Sequence, residues 1–169
     1  MAYLTTAQLV TLKNYINTVP AWSVLPNNSD TAFFIADQLA QTFTPSFTIW
    51  KSSVTVAQVG EGMNSNEVGG LTTANSTRLQ VMASYSGGAF DPSRADTRAG
   101  FDGIFSGAGG TLTRAALLVL YKRLANHLEK LFSTGTGTDA SPATMGLGAQ
   151  GRPIEGSISY VEVQQARNS

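Results

Sequence analysis

The run from Thr113 to Phe132, TRAALLVLYKRLANHLEKLF, constrains this chain most. It holds neither Gly nor Pro and is dominated by strong helix formers. Leu117, Leu120, Tyr121, Leu124, Leu128 and Leu131 recur at three- and four-residue spacing, with Lys122, Asn126, Glu129 and Lys130 on the opposite face. That pattern predicts one long amphipathic helix. Leu118 and Val119 widen its apolar face, so its N-terminal half is expected to be the more completely buried. Ser133 to Met145 follows, a Gly-, Ser- and Thr-rich stretch that cannot continue a helix and has little to bury. The chain therefore reads as a helical domain over residues 1–132 and an extended C-terminal arm over 133–169.

Upstream, Thr5 and Gln8 form a capping-box pattern before Leu9, Leu12, Ile16 and Val19, and Pro20 ends that helix. A second helix is expected from about Asp30 to Phe43. Its apolar residues, Phe33, Phe34, Ile35 and Leu39 among them, cover so wide an arc that enclosure on several sides is expected. Phe47 to Met63 suits a strand through Val54, Val56 and Val59. It also suits a short helix capped by Ser53 or Thr55 through Gln58, which is the favoured reading. Leu71 to Tyr85 reads as a helix with Leu71, Leu79, Met82 and Tyr85 inward. Asp91-Pro92 reads as a helix start, with Arg98 and Asp102 one turn apart as a pair, and Thr111 or Thr113 as the next cap. In the arm, Gly146 to Gly151 is either a flexible tip or the turn of a β-hairpin with arms 143–147 and 154–158. Ser159 and Glu162 cap a short terminal helix. The fold class expected is mainly α: a bundle of about five to six helices, the arm, and the terminal helix.

Eleven basic residues balance eleven acidic ones, and only 13% of the 169 residues are charged. Neutrality argues against general nucleic-acid binding, which needs clustered Lys and Arg. The low charge suits either a polar, uncharged exterior or surfaces covered in an oligomer. The chain has no cysteine, which excludes disulfides, thiolate metal sites and cysteine nucleophiles. No apolar run reaches the roughly 18 residues of a membrane span. The N-terminus lacks a signal-peptide pattern, so synthesis in the cytoplasm is expected.

His127 is the single histidine, and a helix flank is a poor place from which to activate a loop nucleophile. A solvated or interface role is expected for it. Asp91, Asp96 and Asp102 show no metal-ligand spacing. Gly60-Glu61-Gly62 and Gly107-Ala108-Gly109-Gly110 lack the Lys-Ser/Thr of a phosphate loop, and the 134–138 Thr/Gly run lacks a following helix. No catalytic, cofactor or metal residue is singled out, and no enzyme activity is expected. Trp22 and Trp50 are expected in the core. Tyr160 is expected at a contact between subunits.

Asp91-Pro92-Ser93-Arg94, Arg98-Ala99-Gly100, Thr113-Arg114, Lys122-Arg123 and Glu129-Lys130-Leu131-Phe132 occur in that order. Thr134-Gly135-Thr136-Gly137-Thr138, Ser141-Pro142-Ala143-Thr144, Gly156-Ser157-Ile158-Ser159 and Val163-Gln164-Gln165-Ala166-Arg167 continue the series. This series resembles small structural proteins of tailed bacteriophages, similar to head-to-tail adaptor or connector proteins. It covers about Asp91 to the C-terminus, and Trp50-Lys51 also fits. The 148–153 segment, which lengthens the arm, and the position of His127 depart from it. The resemblance implies a mainly helical virion subunit made in the host cytoplasm. It would form a homo-oligomeric ring that binds the portal protein and tail or nozzle proteins, with DNA only passing through its channel and no membrane contact. Leu147, Arg152, Ile154, Ile158, Tyr160, Val161, Val163 and Arg167 are the residues expected to contact the portal or a neighbouring subunit. A capsid cement protein is the alternative, and a small virion lytic enzyme ranks lower.

Overall fold

The computed structural model describes residues 3–169 and is mainly α. Among these residues the helices are α1 (Thr6–Thr18), α2 (Pro20–Ser23), α3 (Ser29–Ala40), α4 (Val56–Gly62), α5 (Ser65–Gly69) and α6 (Thr73–Tyr85). They continue with α7 (Ala95–Ile104), α8 (Thr111–Leu120), α9 (His127–Phe132) and α10 (Tyr160–Asn168). The strands are two- or three-residue pieces: β1 (Thr48–Trp50), β2 (Val54–Thr55), β3 (Ala89–Phe90), β4 (Lys122–Leu124), β5 (Ser133–Thr134) and β6 (Thr144–Met145).

The long helix predicted over 113–132 is in fact two helices with a strand between them. The Asn126 side chain accepts from the Glu129 N–H at 2.8 Å, and the Glu129 carboxylate accepts from the Asn126 N–H at 3.0 Å. This capping box starts a new helix inside the apolar run. Just before it, Ala125 is held in extended backbone: its N–H donates to Phe47 O at 2.8 Å and its carbonyl accepts from Phe43 N–H at 2.9 Å. Backbone pairing with a distant segment outweighs the helix propensity of Leu124 and Ala125.

The chain divides into two units, one built from residues up to Ile49 together with Leu124–Ser169, the other from Trp50–Arg123. The division expected at 132/133 is therefore corrected, because the C-terminal third belongs to the first unit's core. There Ile154, Ile158, Val163 and Ala166 are buried in one cluster with Leu4, Leu12, Ile16, Trp22, Ile35, Leu39 and Leu128. A smaller cluster joins Phe47, Ile49, Ala125, Ala143 and Met145. β5 and β6 pair antiparallel, Ser133 opposite Met145 and Thr134 opposite Thr144. Gly137, at φ +67°, lies against the Phe47 ring, where an added Cβ would come within 2.0 Å of Cε2. Of the hairpin expected with arms 143–147 and 154–158, one isolated antiparallel bridge forms, Leu147 to Pro153, while Thr144–Met145 pairs with β5 instead.

The second unit packs Val54, Val59, Phe90, Phe101, Ile104, Phe105, Leu117 and Tyr121 into its own core. The favoured short helix forms over Val56–Gly62, and of the valines that suited a strand only Val54 lies in one. Val54–Thr55 pairs antiparallel with β3, and Thr55 then caps α4 with Gln58 as its box partner. The helix expected at Asp91-Pro92 begins instead at Ala95. Asp91 accepts from the Ser93 N–H at 2.9 Å and its hydroxyl at 2.5 Å, which makes a turn ahead of the helix. Arg98 lies over Trp50 at 4.2 Å and donates to Ser93 O at 2.9 Å, while the Asp102 carboxylate one turn on adds a favourable charge interaction. The N-terminus of α8 is capped from α5 rather than by a threonine. Glu67 accepts from the N–H groups of Leu112 at 2.9 Å and Thr113 at 2.7 Å. Desolvation pushes the Glu67 carboxyl up, but those hydrogen bonds with Arg114 nearby outweigh it and hold the group below its ordinary value.

Candidate interaction surfaces

The residues expected at an interface fall into three groups. Ile154, Ile158 and Val163 are buried in the first unit's own core, so that expectation is corrected for them. Tyr160 and Arg167 are half-buried by contacts within the same unit. The Tyr160 ring stacks on Phe33 with centroids 3.9 Å apart, and the Arg167 guanidinium donates to Leu25 O at 2.7 Å and Pro26 O at 3.0 Å. Leu147, Arg152 and Val161 are exposed.

Two buried carboxylates explain why the C-terminal segment stays down. Glu162, buried on α10, accepts from the Tyr3 and Leu4 N–H groups at 2.7 and 2.8 Å. Glu129, buried on α9, accepts from the Gly156 N–H at 2.8 Å as well as from Asn126. Each gives a desolvated carboxylate backbone donors from a remote stretch of chain, so removing either partner strands a buried group. Tyr3 completes the clasp: its hydroxyl donates to Pro153 O at 2.7 Å and accepts from the Glu155 N–H at 2.6 Å. Burial raises the Tyr3 hydroxyl above its ordinary value, and the carboxylates of Glu155, Glu162 and Glu129 add to the rise.

Of the two roles expected for His127, solvated or interface, the solvated one is only half met, since the ring is half-buried within the first unit. It lies half-buried at the start of α9, its Nδ1 2.9 Å from the Tyr15 hydroxyl. The rings of Phe43 and Trp22 meet it edge-on at 5.1 and 6.4 Å. Burial pulls the imidazole below its ordinary value. The polar side chain these contacts bring to the ring is the Tyr15 phenol, which burial raises above its ordinary value, and the arrangement acts as a packed hydrogen-bond link between α1 and α9. Among the described residues no group of three or more His, Asp or Glu could hold a metal ion, and no helix is long and apolar enough to cross a membrane. The Tyr121 hydroxyl is buried without a hydrogen-bond partner, and burial raises it far above its ordinary value.

What the structure does present is apolar surface, in places the sequence reading did not anticipate. On α8, Leu112 is 61% exposed and Val119 73%, seven residues apart on one face, with Ala115 exposed between them and Leu118 beside them. The opposite side of the same helix buries Thr113 and Leu117. The expectation that this half would be the more buried is therefore corrected. On α3, Phe33 and Phe34 are about half exposed instead of enclosed, because Ala32, Ile35, Ala36 and Leu39 supply a complete inward stripe without them. Tyr85, expected inward on α6, is 87% exposed. A shallow hollow at Leu25, Asp30, Thr31 and Phe34 adjoins the α3 surface. No family model, curated protein or solved structure matches the chain.

Proposed function

We propose that this chain is a structural subunit of a tailed-phage particle, a head-to-tail adaptor that assembles as a ring between portal and tail. The sequence resemblance over Asp91 to the C-terminus supports the phage class. The observation that carries assembly is the presence of two unlike apolar surfaces, one on each unit: Leu112, Leu118 and Val119 on α8, and Phe33, Phe34 and Tyr160 on α3 and α10. A ring needs a heterologous contact, in which one surface meets a different surface of the next copy. A chain carrying two dissimilar patches meets that requirement.

Magnitudes fit a contact that forms only on assembly. Burying the remaining exposed half of a Leu, Val or Phe side chain contributes about 1 kcal/mol each. Three or four such residues supply about 3–4 kcal/mol per face, which is at the low end of the association cost. One pairwise contact is therefore weak, and ring closure, which gives every copy two contacts, is what makes the assembly stable. The 13% charged composition leaves the surface without a strong field, compatible with DNA passing through a channel without being gripped. The portal above and tail or nozzle proteins below are the heterologous partners in this reading.

Cryo-electron microscopy of the particle tests it. The expected result is a ring of this chain at the portal vertex. Density for the chain spread across the capsid faces would replace the adaptor with a cement protein.

A further inference from the structure

The outward face of α3 is acidic and aromatic, and its charge is unanswered within the unit. Asp30, Phe33, Phe34 and Asp37 recur at three-, four- and seven-residue spacing and all are exposed, Phe33 at 56% and Phe34 at 47%. Among the described residues neither Asp30 nor Asp37 enters an ion pair, and Asp37 takes one long hydrogen bond, from the Gln38 amide at 3.5 Å. No Lys or Arg occurs from Asn14 to Trp50. Arg167 comes close, but its guanidinium is spent on the Leu25 and Pro26 carbonyls. Even with Arg167 counted, two carboxylates leave this surface net negative. Beside Phe34, the hollow of about 340 Å³ at Leu25, Asp30, Thr31 and Phe34 has room for an aromatic side chain, with a carboxylate at its edge.

α6, in the second unit, carries the opposite signature. Ala74, Arg78, Val81 and Tyr85 stand at i, i+4, i+7 and i+11 on one side of it, and all are exposed, Val81 at 46% and Tyr85 at 87%. From Val68 to Phe90 there is no Asp or Glu, so Arg78 is the one charge of the segment. Among the described residues Arg78 enters no ion pair, and Asp102 on α7 interacts favourably with Arg98. None of the thirteen residues of α6 is buried. A helix of that length is marginal in isolation and draws its stability from packing, so its open side has energy to gain from a partner.

We infer that α6 of one copy lies antiparallel along α3 of a second copy. Seven residues separate Arg78 from Tyr85 and Asp30 from Asp37, about 10.5 Å along either helix axis. With Arg78 on Asp37, the Tyr85 ring enters the hollow beside Phe34 and its hydroxyl donates to Asp30, while Val81 covers Phe34 between them. The hollow lies at the Asp30 end of the stripe, which selects the antiparallel arrangement. Arg–carboxylate pairs and pocketed tyrosines are the groups that carry most of the energy in protein interfaces. The contact is heterologous, because α3 and α6 lie on different units, so each copy offers α6 to one neighbour and α3 to the other. This inference rests on the assembly reading above and names the face of the next copy that the α3 patch meets.

The chain has no cysteine, so introduced thiols are the only ones present. Full-length Ala74→Cys and Gln41→Cys variants, each one turn beyond the Arg78–Asp37 pair, are mixed and oxidised, with circular dichroism confirming that each is folded. A disulfide-linked dimer of twice the 17.8 kDa chain mass is expected in the mixture at about tenfold the yield of either variant alone. Ser29→Cys, at the other end of α3, should give no such gain with Ala74→Cys. Adding Asp37→Arg to the Gln41→Cys chain should cut the yield about tenfold, and adding Arg78→Glu to the Ala74→Cys chain should restore it. A mixed yield no greater than either variant alone, one as high with Ser29→Cys, or one that Asp37→Arg leaves unchanged overturns the contact, and so does a cut that Arg78→Glu does not reverse. If sedimentation shows that the unmodified chain self-associates while this cross-link fails, the contact falls and the assembly reading stands. If the chain neither self-associates nor cross-links, both fall.

Discussion

Replacing Ile154 with Ala asks whether the C-terminal third is core or appendage. Ile154 is 0% exposed and shares a cluster with Leu4, Leu12 and Leu128, residues that come from opposite ends of the chain. Truncating a fully buried Ile to Ala removes transfer energy and leaves a cavity, at a cost of about 3 kcal/mol within the usual range of about 2–5. With a urea slope of about 2 kcal/mol per molar, the midpoint should fall by about 1.5 M. The comparison is Leu147→Ala seven residues earlier, where the side chain is 58% exposed and the cost should stay within about 0.5 kcal/mol. Trp22, 7% exposed in the first unit's core, reports that unit's unfolding once Trp50→Phe silences the other tryptophan. Equal midpoints for Ile154→Ala and Leu147→Ala would refute the placement of this segment in the core. By the same reasoning, deletion of residues 134–169 should unfold the first unit instead of releasing a folded helical domain.

Three further outcomes follow from particular contacts. Glu162→Ala leaves the Tyr3 and Leu4 N–H groups without an acceptor and should cost about 2 kcal/mol or more in a urea titration. Asn126→Ala should cost about 1 kcal/mol by removing the cap that starts α9, again read by urea midpoint. Because burial depresses the His127 imidazole, the unfolded chain binds the proton more readily. Stability should therefore be full above a pH of about 6.5 and decline as pH falls through and below it. Tyr15, Trp22 and Phe43 face the ring, and Lys130 lies one turn further along α9 with its ammonium 5.8 Å from the Phe43 centroid. Thermal melts across pH 5 to 8 should show this loss in the native protein and less of it in His127→Gln.

Locally determined features were legible in the sequence. The capping boxes at Thr5–Gln8 and Thr55–Gln58 and the Ser159 cap at Glu162 form as their spacing predicts, because cap and partner lie three residues apart. Asn126–Glu129 carries the same signature. It was hidden by the apolar period running through it, and what decides there is the pairing of Ala125 with Phe43 and Phe47, some eighty residues away. The place of the arm is hidden for a similar reason. Gly- and Thr-rich composition suggests extension, but it cannot reveal that Ile154, Ile158 and Val163 meet Leu4 and Leu12, or that Glu162 collects N–H groups 158 residues distant. For the candidate surfaces, Leu118 and Val119 read as a widening of the apolar face, and the sequence pattern does not show that α8 leaves them, together with Leu112, outside the core. That placement is made by Leu117 and Tyr121 filling the second unit's core first.

Native mass spectrometry of the full chain over a rising concentration series tests assembly most directly. A closed oligomer of one size should appear as concentration rises, and Val119→Lys, at a position 73% exposed, should abolish it while leaving the fold intact. A chain that stays monomeric at every concentration, or an oligomer indifferent to Val119→Lys and to Phe33→Lys alike, would contradict the account.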